Sequence, residues 1–148
     1  MNKLQRYLNH SKIDVLFKQN KDDFVVTEIP LYEFSGEGEH LVLKIRKKDL
    51  ATWDALEIIA KFVGCKSRDI GYAGLKDKNA LTVQSISIHK QYEEKLKTFN
   101  HPNIKILNTT YHNNKIKVGH LKGNKFFIRL KRVNVIDSRK IQHALESI

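Results

Sequence analysis

The stretch Gly71-Tyr72-Ala73-Gly74-Leu75-Lys76-Asp77-Lys78-Asn79-Ala80-Leu81-Thr82-Val83-Gln84 governs the reading of this chain. Two glycines bracket small and aromatic residues, one carboxylate stands between two lysines, and a strand-like run follows. Gly71 and Gly74 permit tight backbone paths that a side chain would forbid. A carboxylate flanked by ammonium groups is favoured in its ionised form. Held on a loop beside a rigid strand, such an Asp is a candidate nucleophile. Composition alone also accommodates a lysine-rich turn carrying a solvated Asp.

Outward from this stretch, 148 residues make one domain with a modest core, and 41% hydrophobic residues make it globular rather than disordered. Twenty-seven basic residues against 16 acidic give a net charge of +11, which suits a polyanionic partner, nucleic acid first. The lone Cys65 excludes an internal disulfide and a multi-cysteine metal site, and it reads as packing. The polar start, 1–12, lacks the apolar segment of a signal peptide, and no apolar run reaches membrane-spanning length. A soluble cytoplasmic protein is expected.

Residues 1–12 give no periodic signal and 13–17 form a short apolar run. β-branched residues at 24–29 predict a strand closed by Pro30. Alternation over 40–46 puts Leu41, Leu43 and Ile45 on one face of a half-buried strand. Thr52 is the expected cap of a helix over 53–63, with Gly64 just past its end and Trp53 in its apolar stripe, hence in the core. Further strands are predicted at 82–88, 104–107, 116–121 and 126–133, with a short helix at 92–99. A last helix is capped by Asp137 or Ser138 and sets Ile141, Leu145 and Ile148 on one face. The sum is an α+β fold, a largely antiparallel mixed sheet flanked by helices. The chain stops at Ile148 on an apolar helical position, as a fragment would.

No G-x-G-x-x-G or P-loop is present, so a nucleotide cofactor has no support. Seven histidines invite a general acid–base site, but none is paired at metal-ligand spacing, and they read as scattered structural residues. The acids Glu28, Glu37, Glu39 and Asp69 form no evident metal cluster. Basic and aromatic residues interleave over 122–131 like a nucleic-acid surface. Strand parity there sets Phe126, Ile128 and Leu130 on the core side, with Phe127, Arg129 and Lys131 opposite.

The order Gly71-x-Ala73-Gly74-x-Lys76-Asp77-Lys78-x-Ala80-x-Thr82-x-Gln84 resembles the catalytic signature of the TruD family of tRNA pseudouridine synthases. Asp23-Phe24-Val25-Val26-Thr27-Glu28 upstream and Leu121-Lys122-Gly123-Asn124-Lys125-Phe126 downstream agree in order and distance, and Gly36-Glu37-Gly38-Glu39-His40 also resembles the family. The likeness covers roughly residues 13–148, with three motifs in the right order. It implies isomerisation of a tRNA uridine, uridine-13, to pseudouridine, without cofactor or metal. Asp77 matches the nucleophile, attacking either the sugar C1′ or the uracil C6. Lys76 and Asn124 match positions that hold the carboxylate and contact the nucleotide, and Phe24 and Phe126 match aromatics of the pocket. Phe126 would stack near the target base, against the parity reading. Glu28 matches a motif acid with a structural or positioning role.

Family members are roughly twice this length and carry an inserted second domain. This chain is therefore expected to be the N-terminal, nucleophile-bearing part, exposing an apolar edge and tending to associate with itself. Two other classes fit the charge: a non-catalytic basic RNA-binding module, and a ribosome-associated protein.

Overall fold

Alternation builds the centre of the fold. In the computed structural model, which describes residues 21–130 and 133–146, β1 (Phe24–Pro30), β2 (His40–Lys47), β3 (Gly71–Tyr72), β4 (Leu81–His89), β5 (Ile104–His112) and β6 (Leu121–Ile128) form one six-stranded sheet. The order is β5-β2-β4-β1-β6, with β3 on β4. Only β1 and β4 run parallel; every other pairing is antiparallel. With helices α1 (Thr52–Val63), α2 (Glu93–Leu96) and α3 (Val135–Glu146), this is the mixed α+β fold that the sequence predicts.

Leu41, Leu43 and Ile45 of β2, Ile86 and Ile88 of β4 and Ile104 of β5 share one face and pack against Ala55, Leu56, Ile59, Ala60 and Val63 of α1. Spacing of those five at three and four residues makes α1 amphipathic. Gly64, at φ 87°, ends it by donating its N–H to the Ala60 carbonyl, a left-handed path that suits glycine. No residue of β1 or β6 belongs to this cluster. The same face of the sheet therefore has two halves, one under the helix and one beyond it. A smaller cluster, Val42, Ala73 and Ile116 with Phe34 and Leu121, lies on the reverse side.

Several expectations are corrected. Trp53 lies on the outer side of α1, 49% exposed and edge-on to Tyr72, because the buried stripe runs through Ala55, Leu56 and Ile59 instead. Thr52 is the first helical residue and Ala51 the cap, and the Thr52 hydroxyl is used elsewhere. Residues 116–120 form no strand: Ile116 plugs the second cluster, and Gly119, at φ 92°, turns the chain into β6. β6 begins at Leu121, earlier than predicted, because the polar Lys122-Gly123-Asn124 segment pairs with β1. The helix predicted at 92–99 is a 3-10 turn leading into the single turn of α2. α3 starts before Asp137, whose backbone N–H is capped by the Asn134 side chain, and Leu145 on its expected apolar face is 65% exposed. The segments 1–12 and 13–17, the end of the predicted 126–133 strand at 131–132, and Ile148 lie outside the described residues. The histidines are not all scattered. His112, His40 and His89 stand side by side across β5, β2 and β4.

Candidate active site

The motif loop leaves β3 and crosses the sheet before entering β4, and the backbone ahead of Asp77 is tied down by a chain of hydrogen bonds. The Gly74 carbonyl accepts from the Gln84 amide at 3.2 Å. The Lys76 N–H donates to the Thr52 hydroxyl at 2.8 Å, and that hydroxyl donates to Gln84 Oε1 at 3.1 Å. The Lys76 carbonyl accepts from Lys47 Nζ at 3.4 Å, and the Lys76 ammonium pairs with Glu28 Oε2 at 2.9 Å. Lys76 and Glu28 are both buried, so this ion pair sits in a low-dielectric site. Removing one partner of such a pair costs about 3–5 kcal/mol, because it strands a charge. Asp77, one residue further, is exposed, and its Oδ1 accepts the Asn79 N–H at 2.9 Å, closing a tight turn. The loop is rigid up to the carboxylate and solvent-facing at it.

Register gathers the other motif residues on one face. Phe24, Val26 and Glu28 of β1 stand opposite Ile128, Phe126 and Asn124 of β6. Directly paired residues share a face, and here it is the face that α1 covers elsewhere. Phe24 and Phe126 stack at 6.1 Å between ring centroids, 14° from parallel. Phe126 is 59% exposed, which corrects its assignment to the core. Strand parity found the right face, but α1 does not extend over β6, so that face is open there. The sequence-predicted residues thus fall into three groups: the buried pair Lys76–Glu28, the aromatic stack Phe24–Phe126 with Asn124 beside it, and Asp77 at the loop tip. Lys76 grips Glu28, and among the described residues Asn79 supplies the hydrogen bond to Asp77.

Lys47 was missed by sequence reasoning. It is 1% exposed, and its ammonium donates to two carbonyls, Leu50 at 2.7 Å and Lys76 at 3.4 Å. Burial first, then the charge of Lys76, pulls its pKa down to about 8, against the opposing attraction of Asp77 and Asp54. Its signal was in the alternation: 47 continues the Leu41, Leu43, Ile45 face, so a lysine there is committed to the interior. Thr82, its cross-strand partner, is also fully buried, and its hydroxyl has no partner among the described residues. Beside this end of the sheet, a cleft of about 800 Å³ is lined by Arg46, Lys47, Lys48, Lys97 and Lys105 against Asp22 and Glu93. Among the described residues no group of His, Cys, Asp and Glu converges as a metal site, and no helix is long and apolar enough to cross a membrane.

Comparison with known proteins bears on this arrangement. A family model described as tRNA pseudouridine synthase D (TruD) matches residues 2–148. The tRNA pseudouridine synthase D of a Nitratiruptor species is 61% identical over 140 residues, covering 95% of this chain and 39% of that protein. The one from Sulfurimonas denitrificans is 60% identical over 141 residues, covering 95% and 40%. Among solved structures, the TruD protein of Methanosarcina mazei matches with a TM-score of 0.77 at 26% identity, over 92% of this chain and 31% of that one. This chain spans about two fifths of the length of the curated relatives it matches. It belongs to the TruD family of tRNA pseudouridine synthases.

Proposed function

We propose that this chain carries the nucleophile of a tRNA pseudouridine synthase, acting on uridine-13 as the family resemblance implies, with Asp77 as the attacking group. The observation that carries the reading is the exposed Asp77 carboxylate at the end of a loop locked by Thr52, Lys47 and Glu28. A nucleophile gains most when its backbone is fixed before substrate arrives. Asp77 attacks the flipped-out nucleotide, at C1′ or at C6, and the N1–C1′ bond breaks. The uracil turns, its C5 bonds to C1′, the bond between Asp77 and the nucleotide breaks to return the free carboxylate, the C5 proton leaves to solvent, and N1 gains a proton. Atoms balance without cofactor, metal or energy source. Extruding the base costs a few kcal/mol of unstacking, and the Phe24–Phe126 stack offers a surface to offset it. Asn124, opposite Glu28 on β6, is a hydrogen-bonding group on that surface. The lysine-lined cleft beside Lys47 supplies phosphate contacts, a salt-sensitive and sequence-independent attraction. The substrate is tRNA, and the setting is the cytoplasm, where tRNA is processed.

The test is tritium release from an unmodified tRNA transcript labelled at uridine carbon-5, using this chain and its Asp77→Asn form. Release that requires Asp77, with tRNA affinity equal or higher in the Asn form because a negative charge is gone, is the expected result. Equal release from both forms would remove Asp77 from the chemistry. An unfolded, non-binding Asn form would make it a structural residue. If both forms are silent, the same pair is assayed after grafting onto the part of the Nitratiruptor relative that this chain does not match.

A further inference from the structure

At the far end of β4 from Asp77, on the reverse face of the sheet, a cleft of about 730 Å³ is lined by His40, His112, His120, Asn114, Lys115 and Lys117. Its chemistry is that of an anion site. Two lysines there face a single carboxylate, Glu33. His112 Nδ1 accepts the Ser35 N–H at 3.1 Å, and His120 Nδ1 accepts the Lys117 N–H at 3.3 Å. A neutral ring whose Nδ1 accepts a backbone N–H carries its proton on Nε2. Burial and the nearby His40 also hold the His112 imidazole toward its neutral form. Both rings are fixed: Tyr32 stacks on His112 at 4.9 Å and meets His120 edge-on at 5.6 Å, with its hydroxyl 3.1 Å from His120 Nδ1. The result is two held imidazoles, an amide and two lysine side chains around one space, with the Lys115 ammonium also donating to the Arg68 carbonyl at 2.8 Å. Metal binding is disfavoured, since among the described residues no three His, Cys, Asp or Glu side chains converge as ligands.

We propose that this cleft is a second RNA contact, a subsite for a backbone phosphate of the substrate that reaches Asp77. The inference rests on the RNA substrate proposed above. Two features join it to the candidate active site. The Gly119 N–H, next to His120, donates to the carbonyl of Ala73 in the motif loop, so the cleft wall is tied to that loop. β4, eight rises of about 3.3 Å, spans roughly 26 Å, and the wall of the cleft at His120 lies nearer to the motif loop than that. A folded RNA covers such a span easily.

The experiment measures binding of a fluorescent, unmodified tRNA transcript to the chain across a salt series. Three variants are compared, each checked for parental thermal unfolding. Lys117→Glu reverses an exposed charge in the cleft. His120→Asn keeps an acceptor for the Lys117 N–H and removes the Nε2 donor. Lys61→Glu makes the same charge change on the exposed side of α1. Lys117→Glu should weaken binding roughly fivefold and lower the salt slope by about one. His120→Asn should weaken it with the slope unchanged, and Lys61→Glu should do neither. Cleft variants that bind like the parent, or a Lys61→Glu effect equal to that of Lys117→Glu, would overturn the subsite while leaving the RNA reading intact. A parent chain that binds no tRNA would overturn both.

Discussion

Lys47 is the residue whose placement most needs explaining. Among the described residues its ammonium is buried and hydrogen-bonded to two carbonyls and to no carboxylate. Burying a charge costs free energy unless something compensates, and neutral acceptors compensate only in part. The depression of its pKa from 10.5 to about 8 corresponds to at most about 3 kcal/mol against folding at neutral pH. Because the unfolded chain holds this proton up to 10.5 and the folded chain only to about 8, the cost is fully present below 8 and fades as pH rises to 10.5. What the chain gains is a clamp on the Lys76 carbonyl, one peptide from Asp77. Lys47→Met should therefore be at least as stable as the parent at about pH 7.5, with an advantage that shrinks by about pH 10. The same variant should show faster amide exchange at Lys76 and Asp77 and lose most Asp77-dependent tritium release. Urea midpoints at the two pH values read the first effect. An advantage that does not change with pH would show that Lys47 carries no strained charge.

At the scale of elements, the motif loop works because its neighbours leave room for backbone and little else. A methyl group at Gly71 would run into the Ile116 carbonyl, the Ser87 hydroxyl and the Lys115 side chain. The same Ser87 hydroxyl accepts the Ile116 N–H at 2.9 Å, so the clash falls on a buried hydrogen bond. Gly71→Ala should cost about 2 kcal/mol or more in a urea melt, and an unchanged midpoint would mean that β3 can shift aside. Sequence made this glycine visible as a tight passage but could not say what it passes. The same division holds elsewhere. The α1 stripe, its Gly64 stop and the β2 alternation were legible because each is a local period with a local end signal. Trp53 and Phe126 were not, because parity and period assign a face, and burial depends on how far a neighbouring helix reaches. Asp77 was singled out by its flanking lysines and by motif order, and Glu28, Asn124 and the two phenylalanines by motif order alone. The meeting of Glu28, Asn124 and the two phenylalanines on one face comes from β1 pairing with both β4 and β6, a long-range fact that no local pattern carries. The histidine row across β5, β2 and β4 shares that origin, whereas the burial of Lys47 was already signalled by the β2 alternation.

For the whole molecule, an open sheet edge among the described residues predicts association. Among the described residues β6 lies at the edge of the sheet order, and Phe126, Phe127 and Ile128 are each at least half exposed. An edge strand with free hydrogen-bonding groups and apolar side chains on both faces templates pairing with another strand. In the longer relatives, the part that this chain does not match is the candidate source of that strand. Without one, a second copy of the same edge is the nearest substitute, so the chain should self-associate. Phe127 is the residue to change, because it pairs with Val25 on the face away from Phe24 and Phe126. Its ring also sits 5.9 Å from the Arg129 guanidinium, a contact at an exposed site worth only about 0.5–1 kcal/mol. Phe127→Lys puts a charge on the edge, a device that natural sheets use to block pairing. Sedimentation velocity across a wide concentration range should show the parent moving toward dimer and the Lys form remaining monomeric, with the Phe24–Phe126 surface unchanged. A parent that stays monomeric throughout would show that the edge is already protected and that the open half of the sheet is stable by itself.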